Sequence, residues 1–219
     1  MRVLIFGATG MVGQGVLREC LLDPAVDRVA AVGRGSTGVV APKFREIVLP
    51  DLMDLSSVEK DLSGFDACFF CLGVSSLGLS ETEYTRVTHD LTLSAARALV
   101  RLNPEMTFVY VSGAGTDSTE KGHSMWARVK GRTENALRRL PFRAVYLFRP
   151  GAIVPLHGVR SKTRWYRLFY ALMRPLLPLL ERVFPNAVTT TEQVGRAMLA
   201  VARSGYSAAV LETRDINRL

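Results

Sequence analysis

Only three cysteines and three histidines occur among 219 residues. Cys20, Cys68 and Cys71 cannot build a disulfide framework, and free thiols fit a reducing compartment, with the cytoplasm as the default. Cys68 and Cys71 have C-x-x-C form, but an odd spacing on a strand sends the two side chains to opposite faces, which argues against a redox pair or zinc clamp. His89, His123 and His157 stand far apart with no acid at ligand spacing, so no metal site is expected. Long uncharged runs are missing too. The longest apolar stretch, residues 165–184, is broken by Arg167, Arg174, Pro175, Pro178, Glu181 and Arg182, whereas a bilayer span needs about 20 mostly uncharged residues. Four apolar residues stand between Arg2 and the first glycine, too few for a signal-peptide core, so export is not expected. The Lys-Ser/Thr pair of a nucleoside-triphosphate loop and the G-x-S-x-G elbow of a hydrolase are absent as well.

What is present is an ordinary globular composition, 48% hydrophobic and 22% charged, enough for one sizeable core. A single domain over residues 1–219 is expected, with a core of about residues 1–150 and a smaller substrate-side portion of about 151–219. Charge is unevenly spread. Residues 1–120 carry 10 Lys and Arg against 15 acids, residues 121–182 carry 14 against 2, and residues 183–219 carry 4 against 3. The basic third quarter could attract an anionic ligand, a phospholipid surface or nucleic acid. No nucleic-acid signature accompanies it, and nucleic acid is not expected as a partner.

Short β-branched and aromatic runs alternate with longer segments of helical period, the pattern of βαβ units in a doubly wound parallel α/β sheet of Rossmann type. Strands are predicted at 3–6, 28–32, 44–49, 67–72, 107–111 and 144–148, and helices at 12–22, 56–62, 81–102 and 125–140. Several strands are apolar at consecutive positions, as required when helices cover both faces. After Pro150 a loop is expected. Thr189 and Glu192 have capping-box spacing for a helix to about residue 203, and a last strand at 208–211 would join the sheet.

Gly7-Ala8-Thr9-Gly10-Met11-Val12-Gly13 follows the first strand and opens the first helix. In this G-x-x-G-x-x-G run, Gly7 permits a tight turn, Gly10 lets backbone approach a pyrophosphate, and Gly13 allows close packing of helix on strand. The N–H groups around Thr9, Met11 and Val12 are offered to the anion. A strand before, a helix after and βαβ text beyond are the context the motif needs for dinucleotide binding.

Where a carboxylate would hold the ribose 2′-hydroxyl of NAD, the chain has Gly33-Arg34. Arg34 supplies a fork suited to a 2′-phosphate, which favours NADP while leaving NAD open; the alternative is an arginine that caps the sheet or pairs with an acid. Asp51 could accept from the adenine amino group or cap the next helix. Ligands of such sheets lie at the carboxyl ends of strands, where Cys71-Leu72-Gly73, Ser112-Gly113-Ala114-Gly115 and Arg149-Pro150-Gly151 place small residues or turns. Turn geometry alone is the alternative for these glycines.

With these residues in view, the chain resembles the short-chain dehydrogenase/reductase superfamily in its atypical or extended branch. Within that branch it is most similar to the Tat-interacting oxidoreductase-like proteins and to bacterial relatives labelled NAD-dependent epimerase/dehydratases. The likeness runs from Gly7 through Gly33-Arg34, Cys71-Leu72-Gly73, Ser112, Lys130-Gly131 and Phe148-Arg149-Pro150-Gly151 to the C-terminal helix. It implies a nicotinamide dinucleotide site in which Pro150 and Gly151 also take part.

The resemblance also implies a Tyr-x-x-x-Lys pair with a Ser at the end of the fifth strand. A phenol can protonate a developing alkoxide, and a lysine four residues along the same face lowers its pKa. This chain reads Trp126-Ala127-Arg128-Val129-Lys130. An indole N–H donates but does not usefully ionise, so Trp126 cannot replace the phenol. Ser112 and Lys130 are therefore the catalytic positions retained, with Lys130 implied to hold the nicotinamide ribose and Ser112 either touching ligand or capping its strand. His123, Ser124 and Tyr84 are further candidates for the missing proton.

Arg160, Lys162, Arg164 and Arg167 interleave with Trp165, Tyr166, Phe169 and Tyr170, a stretch suited to covering the cleft, to an anionic substrate or to a membrane surface. Covering the cleft is favoured and membrane contact is not expected. The sequence thus points to an NADP-preferring oxidoreductase or epimerase-like enzyme for a small carbonyl or alcohol. A non-catalytic NADP(H)-binding regulator is the alternative. The substrate and any homo-oligomer are left open.

Overall fold

The computed structural model describes residues 1–159 and 187–219; the basic and aromatic run from Arg160 to Tyr170 lies outside the described residues. Nine strands are described: β1 (Arg2–Phe6), β2 (Arg28–Gly33), β3 (Phe44–Val48), β4 (Ala67–Phe70), β5 (Thr107–Val111), β6 (Ala144–Arg149), β7 (Ala152–Val154), β8 (Val188–Thr190) and β9 (Val210–Glu212). Seven form one parallel sheet in the order β3-β2-β1-β4-β5-β6-β9. The direction of winding reverses between β1 and β4, and the glycine turn sits there at the carboxyl end of β1.

Why consecutive strand residues are apolar is visible in the core. Val3, Ile5, Phe69 and Val109 point to one face, where α1 (Met11–Leu22) and α5 (Thr191–Ser204) cover them with Val16, Leu17, Val194 and Met198. Leu4, Phe6, Phe70 and Phe108 point to the other, under Leu93, Ala96 and Leu99 of α3 (Leu91–Leu102). On this second face Phe6, Phe70 and Phe108 stack across three strands, with centroids 5.2 Å and 5.8 Å apart. Offset ring pairs at such separations add to the area they bury. Cys68 and Cys71 fall on opposite faces, as their spacing demands.

Several sequence expectations are corrected. The helix predicted over 81–102 is three pieces: α2 (Glu81–Thr85), a π-helical turn (Arg86–Asp90) and α3. Ser80 and Glu83 close a capping box at its start. Residues Ser56–Leu62 form a 3₁₀ helix. The helix α4 (Met125–Leu137) ends earlier than predicted. Thr190, not Thr189, caps α5 by accepting from Gln193 N at 3.0 Å. Thr189 is taken by β8, which pairs with β7 where only a loop was expected after Pro150. Strand β9 starts two residues later than predicted, and α6 (Thr213–Ile216) follows it.

α1 and α5 approach closely because each turns a glycine toward the other helix. A Cβ on Gly15 would stand 2.5 Å from Thr191 Cβ and 2.7 Å from its carbonyl oxygen, and one on Gly195 would stand 2.8 Å from Glu19 Cγ. Around the contact, Arg196 bonds Glu19 at 3.3 Å and Glu192 at 2.6 Å, and Arg203 bonds Asp23 at 2.5 Å. Gly15→Ala must push α5 away from α1. We expect it to lower stability by about 1–3 kcal/mol, read as a lower urea midpoint with an unchanged slope.

Candidate functional site

A cleft of about 830 Å³ opens over the carboxyl ends of β2, β1 and β4. Its floor is the glycine turn. Gly7 has φ +82°, and a Cβ there would lie 2.7 Å from Leu72 Cα and 2.9 Å from Cys71 carbonyl carbon, so only glycine fits both the conformation and the space. Gly10 N closes the turn on Gly7 O at 2.9 Å. A Cβ on Gly13 would lie 2.1 Å from that same oxygen, which is the close helix-on-strand packing the spacing implies. Gly10 caps α1 without a side-chain bond, and no acidic residue stands in the first turn. Backbone N–H groups at this end therefore meet no carboxylate of their own helix, and the site fits an anionic diphosphate.

The wall beyond β2 carries Arg34, which lines the cleft and is exposed. Nearby Glu46 on β3 is occupied: its carboxylate accepts from Ser36 Oγ at 2.6 Å and from Thr37 N and Oγ1 at 2.5 Å. These bonds hold the Glu46 carboxyl below its usual pKa, and they fix the loop that presents Arg34. No acid pairs with Arg34 among the described residues. Asp51 also lines the cleft, but Oδ1 accepts from Met53 N at 2.8 Å. Of its two expected roles, capping the next helix is not seen: Leu55 stands at that N-cap without a side-chain bond, and Ser56 N donates to Asp54 at 2.9 Å.

A second cluster lies past the end of β5. Glu134 is 1% exposed and accepts from Ser112 Oγ at 2.6 Å, from Arg149 Nε at 3.0 Å and from Arg149 Nη2. Lys130, one turn earlier on α4, donates to the carbonyl of Ser112. Burial pulls the Lys130 ammonium down to about 8, with Glu134 pulling the other way. Arg149 also reaches Ser118 Oγ at 2.6 Å and Glu212 at 3.6 Å. A buried carboxylate persists only when its lone pairs are filled, and here a serine and a guanidinium fill them.

The sequence-predicted site residues divide between these two places. Gly7, Thr9, Gly10, Arg34, Asp51, Cys71, Leu72 and Gly73 line the cleft. Met11 and Val12 begin α1 behind it. Ser112 lies in the second cluster, where its hydroxyl bonds Glu134 and, at 3.1 Å, Phe148 O. Pro150 accepts from Ala114 N at 2.9 Å. Gly151 donates to Thr213 Oγ1 at 2.8 Å and packs against Ala187 O, which ties it to α6 and the β7–β8 pair. Neither lines the cleft.

Trp126 packs against Gly115, where a Cβ would stand 3.6 Å from its ring. Tyr84 is buried, and burial raises the pKa of its phenol; Tyr110 is raised further for the same reason. Neither lines the cleft. His123 and Ser124 are exposed at the start of α4. Burial pushes the Cys71 thiol up to about 12, which makes it inert as a nucleophile. No group of three metal-binding side chains occurs among the described residues, and no described helix is long and apolar enough to cross a membrane. Sequence reasoning missed Glu134, Glu46 and Arg86. Nothing local marks a buried Glu on a helix that elsewhere carries solvent charges, while Arg86 sits in text that reads as uninterrupted helix.

Comparison with known proteins agrees with this geometry. The NAD dependent epimerase/dehydratase family matches residues 3–124. The chain is 30% identical over 169 residues to the mitochondrial protein fmp52 of Emericella nidulans, covering 74% of this chain and 70% of that one. It is 26% identical over 154 residues to protein HTATIP2 of Rattus norvegicus, covering 69% and 62%. Its fold matches an oxidoreductase of the short chain dehydrogenase/reductase family from Burkholderia thailandensis with a TM-score of 0.71, 18% identity and coverage of 99% and 92%. A dTDP-glucose 4,6-dehydratase from Streptomyces venezuelae, solved with NAD bound, matches with a TM-score of 0.69 at 18% identity, covering 99% and 79%.

The Lys130 environment has a pH signature. Its ordinary pKa is 10.5 and burial brings it to about 8, so between those values the unfolded chain holds a proton that the folded chain has released. Stability contributed by this group therefore rises with pH across that window. Urea denaturation of wild type and Lys130→Met at several pH values should show the difference shifting in favour of wild type as pH rises. A difference flat in pH would mean that the amine is fully hydrated.

Proposed function

The chain belongs to the NAD dependent epimerase/dehydratase family, and from that premise we propose that it is an NADP-preferring oxidoreductase or epimerase-like enzyme for a small carbonyl or alcohol. The observation that carries this reading is the pairing of a side-chain-free diphosphate turn with Arg34. That guanidinium lines the same cleft without an acidic partner among the described residues. Gly7 and Gly10 hold the diphosphate against the start of α1, and Arg34 binds the 2′-phosphate as a fork. Asp51, Leu72 and Gly73 border the adenosine half.

A bound nicotinamide supplies or accepts the hydride. The chain's own residues position and exclude: Lys130 is fixed by the Ser112 carbonyl, and Ser112 by Glu134, which Arg149 neutralises. With its pKa near 8, Lys130 exchanges a proton close to neutral pH, so the ammonium is the group suited to stand in where the phenol is missing. Met11, Val12, Gly13, Pro150 and Gly151 shape the backbone around the site. A cytoplasmic, reducing setting belongs to the same proposal, and the free thiols of Cys20, Cys68 and Cys71 accord with it.

Trp126 supports a second reading, a non-catalytic NADP(H)-binding regulator. The two separate on turnover: substrate-dependent change in nicotinamide absorbance with the wild type favours the enzyme, whereas activity that appears only in Trp126→Tyr favours the regulator.

Calorimetric titration tests the shared premise. NADPH should bind more tightly than NADH, and Arg34→Ala should weaken NADPH by roughly tenfold to a hundredfold, the worth of charged hydrogen bonds to a phosphate, while leaving NADH almost unchanged. Equal binding of both nucleotides by the wild type would remove the NADP preference.

A further inference from the structure

We propose that Arg86 is a second cation of the cleft, which binds the diphosphate of the dinucleotide from the wall opposite Arg34. This rests on the dinucleotide reading above. Arg86 belongs to the π-helical turn that interrupts the helical stretch after β4, and it lines the cleft together with Val87 and Leu91. Two carboxylates on its own helical stretch could have claimed it, at the positions three before and four after. Both are engaged elsewhere. Glu83 accepts from Ser80 N at 2.8 Å and Ser80 Oγ at 2.6 Å, closing the capping box of α2. Asp90 bonds His89 Nδ1 at 2.8 Å.

Arg86 is exposed, and no described residue accepts from its guanidinium. The opposite wall repeats the arrangement, since Glu46 is held by Ser36 and Thr37 while Arg34 stays free. In both places local caps take the acid and leave the guanidinium to the cleft. The wall carrying Arg86 is fixed in place, because α3 is tied to the segment after Asp51 by Ser94 Oγ donating to Met53 O at 2.7 Å. An elongated ligand that is anionic at its 2′ position and again at its diphosphate matches two guanidiniums on facing walls, above a turn that offers backbone N–H groups.

Titration of wild type, Arg34→Ala, Arg86→Ala and Arg86→Lys with ADP-ribose, NAD, NADP and 2′,5′-ADP tests the assignment. Arg86→Ala should weaken ADP-ribose, NAD and NADP alike, by roughly tenfold for the loss of a charge-assisted bond, and should flatten the salt dependence of each. Arg86→Lys should recover part of the loss. Arg34→Ala should weaken only the two ligands that carry a 2′-phosphate. Because Arg86 supports no described contact, its variants should melt with the wild type. Wild-type binding of ADP-ribose that Arg86→Ala leaves unchanged would overturn this inference alone, whereas a wild type that binds none of the four ligands would overturn the dinucleotide reading with it.

Discussion

Between the end of β1 and the start of α1 there is room for backbone and nothing else. Gly7 meets Leu72 and Cys71 on one side, and Gly13 comes down on the Gly7 carbonyl from the other. Any side chain at either position would separate α1 from the sheet or push β1 away from the end of β4. That crowding fixes the angle at which α1 leaves the sheet. It also sets where α1 meets α5, and hence how the last part of the chain returns to complete the sheet through β9. The empty floor of the cleft and the packing of the first face are consequences of one steric requirement.

Charge is distributed by a related economy. Glu46, Glu83, Asp51 and Asp54 each accept from hydroxyls or backbone N–H groups within ten residues in sequence. These bonds fix loops and helix starts around the cleft while leaving its arginines unneutralised by direct pairs. Glu134 is the opposite case. It lies in the interior, reaches across 22 residues to Ser112 and 15 to Arg149, and turns the ends of β5 and β6 into one rigid piece with α4. Desolvation makes such a carboxylate costly unless every lone pair is used, so this cluster has little freedom to rearrange when a ligand enters.

What the sequence made legible is what depends on near neighbours. The glycine spacing, the strands with both faces apolar and the absence of an acid after β2 are all set within a few residues, and the structure places each where its physics requires. Features settled by distant partners were hidden. Strand β7 is three residues long and exists because β8, more than thirty residues later, lies beside it. The capping position moved from Thr189 to Thr190 for the same reason. The partner of the Ser112 hydroxyl was hidden too, because it is a glutamate 22 residues away on α4. Arg86 was invisible because a π-helical turn, which rotates side chains out of the 3.6-residue period, leaves no mark in an otherwise regular helical pattern.

Trp126 separates two properties that a tyrosine would have joined. Its ring lies against the Gly115 turn but brings no ionisable group. The surroundings of Lys130 have nevertheless kept everything that tunes its amine: burial, a carbonyl acceptor at Ser112 and an acid one turn away at Glu134. Burial that brings the amine to a pKa of about 8 is a cost that methionine at the same position would not carry. The proposed function gives the lysine two tasks besides packing. Holding ribose hydroxyls calls for a donor, which the ammonium is at neutral pH. Moving a proton calls for a pKa near the working pH, and burial together with Glu134 supplies that as well. On the proposed function both tasks fall to one atom, Nζ, so the proposed binding and proton transfer meet at Lys130 and not at the residue one turn before it.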